Sequence, residues 1–365
     1  MKLVFTADLV PTKLNEQAFI DGDVELLFGD TLDVLKGADR VIVNLECALT
    51  ETDVAIKKIG PPLKANPRAI LSYQKANVTD CALANNHIFD YGIQGLKDTM
   101  ETLEKAGIGY TGIGENDQDC RAPYVIERDG KKIAIINVCE HEYSYALPDR
   151  IGANAFDPFL TMRDIRNAKK SNDYVIVLYH GGKEHCQYPS PRLRTLCQEM
   201  VENGASVVLA QHSHCIGCYE KYNDGHILYG QGNFHFAYPG YSGDKWSTGL
   251  ITEVVIEDDL KVNFYPYRLT DISLSLLKGE DKQNIMSGFE TRNQQLKTGE
   301  WRDGWRAFCE ENKARYVKCL ENFGGGADED ERKRFIETFA HLLDCEAHTD
   351  VWRELFPTLN LTNEK

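Results

Sequence analysis

The chain has 365 residues, of which 42% are hydrophobic, and a formal net charge of -15. This composition is sufficient for a packed core, and the length is typical of two or three domains, although one α/β domain of about 250 residues is also common. The acidic balance argues against nucleic acid as the main partner, because neutralising phosphates requires a basic face. An acidic substrate stays open, since a bound cation inverts the local field.

Short apolar, β-branched runs recur along the chain, and each is followed by a side chain that can bind metal. Such runs are typical of strands buried on both faces, so these side chains are predicted to lie at strand C-termini, where open α/β sheets build their sites. The residues that follow the runs are Asp8, Glu46, Asn86 with His87, His180, and finally His212 with His214.

Strands and helices are predicted to alternate in the first part of the chain. Beyond the strands that end in these residues, the pattern predicts helices over residues 30–36, 95–106, 160–170 and 192–203, and strands over residues 133–138, 227–229 and 250–256. This alternation indicates an α/β sandwich over residues 1–271.

The pattern changes near residue 272, where charged, helix-favouring runs begin. Residues 324–326 are glycines, and with the acidic residues 328–331 they predict a flexible break between helices. Apolar positions spaced by three and four residues predict a helical extension over residues 272–365 that packs on the sandwich or mediates oligomerisation.

The residue types at the strand ends favour a transition-metal site. Imidazole nitrogens combined with carboxylate and amide oxygens suit Mn, Fe or Zn better than Ca or Mg. Glu46 is the best candidate for a bridge between two ions, because a carboxylate has two oxygens to share.

Five segments resemble the CapA family, which is associated with poly-γ-glutamate capsule synthesis and is a branch of the calcineurin-like metallophosphoesterase fold. The resemblance covers about residues 1–257 and includes an Asn-Asn-His segment that continues to Asp-Tyr-Gly. The segments are Asn44-Leu45-Glu46, residues 84–92, residues 180–184, residues 211–214 and residues 229–234.

The resemblance implies a two-metal site in which Asp8 and His214 serve the first metal, Glu46 bridges, and Asn86, His180 and His212 serve the second. His87 would face the substrate as a general acid or oxyanion stabiliser, oriented by Asp90. Phosphoesterases of this fold usually carry Asp-x-His at the first strand, but Asp8 is followed by Leu9 and Val10. One nitrogen ligand is therefore missing, and a mononuclear site stays open.

Further residues near these segments are candidates for substrate contact. Lys64 lies in a proline-rich loop close to Glu46, Glu184 follows the His180 loop, and Asn233 lies in a Gly-Asn-Phe turn. For each, a solvated or purely structural role is the alternative. Residues 141–143 also follow a predicted strand, which leaves a contact with substrate open.

The remaining histidines and cysteines carry no such pattern. His226, His341 and His348 are expected to be surface or core residues, and Cys215 and Cys218, spaced as Cys-x-x-Cys, are expected to be packing residues.

Two functions fit these observations. One is a metal-dependent hydrolase of a phosphoester or related bond, acting on a small molecule or an acidic polymer with one or two divalent Mn, Fe or Zn ions. The other is a non-hydrolytic protein that binds metal or an acidic polymer in capsule assembly. No span of about 20 apolar residues occurs, and the chain is expected to be cytoplasmic.

Overall fold

The computed structural model describes residues 1–323 and 329–356, with the side chains of residues 320–323 excluded. Its strands are β1 (Lys2–Leu9), β2 (Arg40–Leu45), β3 (Ala48–Leu49), β4 (Lys64–Ala65), β5 (Asp80–Ala82), β6 (Gly109–Thr111), β7 (Ile113–Gly114), β8 (Tyr124–Arg128), β9 (Lys131–Cys139), β10 (Gly152–Ala153), β11 (Tyr174–His180), β12 (Val207–Gln211), β13 (Tyr219–Tyr222), β14 (Gly225–Leu228), β15 (Asn233–His235), β16 (Thr248–Ile256), β17 (Leu260–Thr270) and β18 (Ser273–Leu276). Its α-helices are α1 (Glu16–Asp21), α2 (Val24–Phe28), α3 (Thr31–Lys36), α4 (Ile70–Lys75), α5 (Gly92–Ala106), α6 (Pro158–Ser171), α7 (Pro191–Glu202), α8 (Asp244–Ser247), α9 (Gly279–Thr298), α10 (Trp301–Phe323), α11 (Glu329–Asp344) and α12 (Glu346–Leu355). Short 3₁₀ turns cover Pro67–Ala69 and Asp119–Arg121.

Two large sheets pack face to face. The first has the order β18-β17-β16-β1-β2-β5-β6, with β15 also paired to β1, and the second has the order β13-β14-β12-β11-β9-β8. The strands β1, β2 and β5 run parallel, as do β9, β11 and β12. The predicted α/β sandwich is therefore confirmed, and the C-terminal ends of both parallel sets are available to build a site.

The alternation of side chains along the strands explains the layers. In β9, Ile133 and Ile135 pack between the sheets, whereas Ala134 and Ile136 pack against the outer helices. Because successive strand side chains point to opposite faces, a continuous apolar run is required when both faces are covered. Helices α1–α5 cover the first sheet, and α6 and α7 cover the second.

Local signals fix several helix ends. Ser190 accepts a hydrogen bond from the Leu193 N–H at the start of α7, and Pro191 occupies its first turn. Helix α5 ends where it was predicted to end, at Gly107, whose φ of 70° is the left-handed conformation that glycine adopts without strain.

The C-terminal helices α9–α12 form the predicted helical extension. Strand β18 still belongs to the first sheet, so the sheet continues to Leu276 and the helices begin at Gly279. The predicted break at residues 324–328 lies outside the described residues. Glu329, Asp330 and Glu331, predicted to extend that break, instead form the first turn of α11, where negative charges favour the helix.

Candidate metal centre

Asp8 is directed into the site by an irregularity in β1. Thr6 pairs with Val43 of β2, but the next pair is Asp8 with Asn44, so Ala7 is an extra residue in β1. Such a bulge re-aims the side chains that follow it. The Asp8 carboxylate is fully buried, and its Oδ1 accepts a hydrogen bond from the Asn44 side chain at 2.7 Å.

Glu46 follows β2 at the same edge of the sandwich. Its backbone N–H donates to the Leu9 carbonyl at 3.2 Å, which holds the loop against β1. Its side chain is fully buried, yet neither carboxylate oxygen accepts a hydrogen bond, and Oδ2 of Asp8 is in the same condition. Because burying a charged oxygen without a partner is costly, these atoms indicate a position built for a cation.

Three ligand-type atoms meet at the Nε2 atom of His180. They are Oδ1 of Asn86 at 3.0 Å, Nδ1 of His212 at 3.2 Å and Oε1 of Glu46 at 3.3 Å. A single imidazole N–H cannot serve three such neighbours, so their convergence is typical of ligands around an ion. Two sheets thus contribute to one point, because His180 ends β11 and Asn86 follows β5.

His214 completes the cluster on the Asp8 side. Its Nδ1 donates to Oδ1 of Asn233 at 2.8 Å and lies 3.1 Å from Oδ2 of Asp8. Asn233 is placed by Gly232, whose φ is 85° and whose position would bring a Cβ within 2.5 Å of the Thr248 carbonyl oxygen. Only glycine avoids both penalties there.

His212 and His214 also carry local backbone strain. Their φ angles are 78° and 52°, a left-handed region that non-glycine residues rarely adopt. Strained residues of this kind persist where the surrounding structure fixes them, and they cluster at functional sites. This loop follows β12, as the sequence predicted.

The histidines of the cluster differ in protonation: His180 and His212 are neutral, whereas His214 is protonated. Burial lowers the pKa values of His180 and His212 to about 4, so both imidazoles are neutral and able to coordinate. Burial also opposes a charge on His214, but Glu46 and Asp8 raise its pKa to about 10. Burial, and then the charge of Asp8, raise the pKa of Glu46 to about 7. A proton on His214 thus partly compensates the buried carboxylates.

The residues present fit a divalent transition metal. Glu46, His212 and His214 offer ligand atoms within 4.8 Å of one another. Buried carboxylate oxygens without hydrogen bonds and neutral imidazole nitrogens form the mixed donor set that Mn, Fe or Zn accepts.

His87 and Asp90 form a hydrogen-bonded pair beside this cluster. His87 Nδ1 lies 2.6 Å from Oδ2 of Asp90, which leaves Nε2 of His87 available. The His87 side chain is 13% exposed to solvent. Asp90 also binds the Lys58 ammonium at 2.6 Å and the Leu63 N–H at 2.7 Å. The carboxylate is therefore held in one orientation by three partners.

The lysines of the proline-rich loop behave differently from one another. Lys58 is not solvated, since only 3% of its side chain is exposed and it binds Asp90. Lys64 instead binds the Asp53 carboxylate at 2.7 Å and the Thr52 carbonyl at 2.6 Å.

The other two candidates for substrate contact, Asn233 and Glu184, interact with histidines of the cluster. Asn233 binds His214 directly. The negative charge of the neighbouring Glu184 acts to raise the pKa values of His212 and His214. Val10, which stands where a nitrogen ligand is usual, is 1% exposed within the apolar cluster under the first sheet. The first strand thus contributes a single ligand-type side chain.

Two residues of the site, Asn44 and Asn85, were given no role in the sequence analysis. The Asn44 side-chain nitrogen lies 2.7 Å from Asp8 Oδ1 and 3.2 Å from His180 Nδ1, which links the two sheets. Asn85 accepts from the His87 and Ile88 N–H groups and shapes that turn. Both directly follow or end apolar runs, a signal that could have identified them.

Glu142 belongs to residues 141–143, for which a contact with substrate was left open, and the C-terminal helices are close to it. Its Oε2 accepts a hydrogen bond from the Asn86 side chain at 2.7 Å, so it orients a candidate ligand. It also lines a pocket of about 520 Å³ together with Lys58, Tyr143, His341 and Asp344. Helix α11 therefore forms one wall of the pocket beside the centre.

Residues 2–238 match the family described as Bacterial capsule synthesis protein PGA_cap, and the chain belongs to that family, as its sequence predicted. It is 32% identical over 213 residues to the capsule biosynthesis protein CapA of Bacillus anthracis, covering 55% of this chain and 51% of that protein. It is 28% identical over 238 residues to the PGA biosynthesis protein CapA of Bacillus subtilis, covering 64% of this chain and 62% of that protein. The chain thus spans about half to three fifths of these relatives.

Among solved structures, the 5'-nucleotidase of Candida albicans is similar at 9% identity and a TM-score of 0.42, covering 86% of this chain and 58% of that one. A likeness at this level supports no inference about function. Within the described residues, no helix is long and apolar enough to cross a membrane.

Proposed function

We propose that this protein is a metal-dependent hydrolase of a phosphoester or related bond, acting in poly-γ-glutamate or capsule synthesis. The observation that carries the proposal is the convergence of Asp8, Glu46, His180, His212 and His214 around buried carboxylate oxygens that accept no hydrogen bond. The family match over residues 2–238 agrees with the part of the proposal that concerns capsule synthesis.

Each residue has a role in this proposal. Asp8 and His214 would hold one divalent ion, Asn86, His180 and His212 would hold another, and Glu46 would contribute to both positions. Ions held there would supply Lewis-acid stabilisation of the charge that develops on the reacting oxygens. The mixed nitrogen and oxygen donors support Mn, Fe or Zn as the metal.

His87 donates a proton to the leaving oxygen through Nε2, and Asp90 fixes its orientation through Nδ1. Lys58, buried against Asp90, contributes a positive charge on the same side of the pocket. This arrangement suits an anionic substrate, either a small molecule or an acidic polymer, such as the relatives' names suggest.

One observation favours a second function, the non-hydrolytic binding of metal or of an acidic polymer. Val10 is packed in the apolar core and offers no nitrogen to the first ion. A site with one ligand fewer binds that ion more weakly, and a single ion gives less stabilisation to a displaced oxygen.

A cytoplasmic location and oligomerisation through the C-terminal helices stay predictions. The eleven cysteines all lie within the described residues, and none of them forms a disulfide bond there.

The test is metal analysis of the purified full chain, followed by turnover of a panel of phosphoesters and γ-glutamyl peptides with Mn²⁺, Fe²⁺ or Zn²⁺. Glu46→Ala should lose most of the metal and all turnover. Glu253→Ala is the matched control, because Glu253 is also buried but its carboxylate accepts hydrogen bonds from Asn263 and Tyr265 of β17. Full metal content in Glu46→Ala would contradict the ligand set. A metal-loaded wild type that hydrolyses nothing in the panel would favour the binding function.

A further inference from the structure

Four metal-ligating side chains meet where the C-terminal helices contact the sandwich. Glu142 lies in the loop after β9, His341 on α11, and Cys345 and His348 at the start of α12. Glu142, Cys345 and His348 offer ligand atoms within 4.8 Å of one another. Nε2 of His341 lies 3.7 Å from Oε1 of Glu142.

Two of these side chains, His348 and Glu142, are oriented by a hydrogen bond to a residue outside the cluster. The Tyr316 hydroxyl lies 2.7 Å from Nδ1 of His348, which leaves Nε2 of that ring for a ligand bond. Asn86 donates to Oε2 of Glu142 and leaves Oε1 available. Cys345 precedes the first turn of α12, where the His348 N–H is directed at its sulfur.

The alternative is a polar cluster held together by hydrogen bonds. Within the described residues, no hydrogen bond joins the side chains of Glu142, Cys345 and His348 to one another, and 3.7 Å between His341 and Glu142 exceeds hydrogen-bond distance. Oε1 of Glu142 and Nε2 of His348 remain free beside the Cys345 sulfur, whose S–H is directed at Oε2 of Glu140 at 3.9 Å. All three residues of the triplet are at least nine-tenths buried.

The donor set has the chemistry of a zinc site. One thiolate, two imidazoles and one carboxylate make four ligands, which is the usual coordination number of Zn²⁺. Calcium and magnesium prefer oxygen ligands, so sulfur and nitrogen donors select against them. The nearby Lys183 ammonium opposes a cation here, but Glu184 lies 3.7 Å from it and compensates part of its charge.

We propose that Glu142, His341, Cys345 and His348 form a second transition-metal site, of the zinc type, which joins α11 and α12 to the sandwich. On binding, the Cys345 S–H bond is replaced by a sulfur–metal bond and the proton passes to the solvent. The hydrogen bond from Asn86 to Glu142 connects this second site to the cluster around Glu46, His180 and His214, which is the first centre. The proposal does not depend on hydrolytic activity.

The test uses the full chain, freed of metal and titrated with Co²⁺, which replaces Zn²⁺ and gives a near-ultraviolet charge-transfer band when a thiolate binds it. The first centre contains no cysteine, so this band reports the second site alone. We expect the band in the wild type and in Glu46→Ala. Cys345→Ser should lose it, with a loss of one metal ion per chain after Zn²⁺ loading.

Two matched variants control for the other cysteines. Cys218→Ser removes the sulfur of the Cys-x-x-Cys segment, and Cys319→Ser removes a partly exposed sulfur on α10; both should keep the band. His348→Gln, which keeps all sulfurs, should weaken Co²⁺ binding by at least tenfold. A wild type without the band, or a band that survives in Cys345→Ser, would overturn the proposal. An absent band in the wild type overturns the proposal even if a variant fails to fold, and His348→Gln tests a band that is present without removing any sulfur.

Discussion

The charge of His214 is controlled by the two carboxylates that face it. Burial opposes a cation there, but Glu46 and Asp8 raise the pKa of His214 to about 10, and the pKa of Glu46 is raised to about 7. Both pKa values lie above those of the unfolded chain, so at pH 7 the metal-free protein holds the proton on His214 and part of the proton on Glu46. A divalent ion must displace them in order to bind.

We therefore predict that metal binding at the first centre releases at least one proton at pH 7, and that the apparent affinity rises with pH until about pH 10. Calorimetric titration in two buffers of different ionisation enthalpy counts the protons. The Cys345→Ser background removes any proton from the second site. His212→Asn should weaken binding without changing the proton count, because burial lowers the pKa of His212 to about 4. An affinity that stays constant between pH 7 and pH 10 would contradict this prediction.

His87 is expected to act on the substrate and not on the metal. Its Nδ1 is occupied by Asp90, and it lies outside the group of atoms that converge on His180. His87→Ala should keep the metal and lower kcat by about 10²–10⁴ for substrates with poor leaving groups. An aryl phosphate, whose leaving group needs little protonation, should lose less. Asp90→Asn should give a smaller loss, and loss of metal in His87→Ala would identify it as a ligand instead.

At the scale of elements, the positions of the strand ends were predictable from the sequence. The face of the sheet to which their side chains point was not. Val4 packs against the outer helices and Leu3 and Phe5 pack between the sheets. With strict alternation Asp8 would face outward with Val4; the extra residue at Ala7 reverses this, so Leu9 packs outward and Asp8 faces the site. No local pattern marks the bulge, because it depends on pairing with β2.

The docking of α12 depends on a buried carboxylate. Asp350 is 5% exposed and accepts hydrogen bonds from Ser190 at 2.6 Å and from Arg192 at 2.9 Å. Asp350→Asn should cost about 1.5–3 kcal/mol, the usual value of hydrogen bonds to a charged group. Glu337→Gln, which breaks the exposed Lys57 pair, should cost less than about 1 kcal/mol. Urea unfolding measures both, and hydrogen exchange over residues 346–355 should accelerate only in Asp350→Asn. Equal losses in the two variants would contradict this account.

At the scale of the whole molecule, the sequence predicted a helical extension but not its place beside the site. His341 and His348 lie about 200 residues from Glu142, and nothing in their local spacing marks them as ligands. Their proximity arises because Trp305, Tyr316 and Val351 pack into one apolar cluster that also includes Cys186 from the His180 loop. A contact made through tertiary packing leaves no periodic signal in the sequence, which explains why these residues were expected to be surface or core residues.

The two centres should therefore respond differently to removal of the last helices. Every proposed ligand of the first centre lies before residue 215, and the residues that orient Asp8 and His214, namely Asn44 and Asn233, belong to the sandwich. A chain that ends at residue 323 should keep metal at Glu46 but lose the cobalt–thiolate band, since Cys345 and His348 are absent. It should also bind substrate more weakly, because α11 forms one wall of the pocket. Circular dichroism checks that the shortened chain is folded, and elemental analysis with and without Glu46→Ala assigns the remaining metal. If a folded shortened chain bound no metal, α11 and α12 would be required to complete the first centre. The hydrogen bond from Asn86 to Glu142 would then be the contact through which these helices act on it.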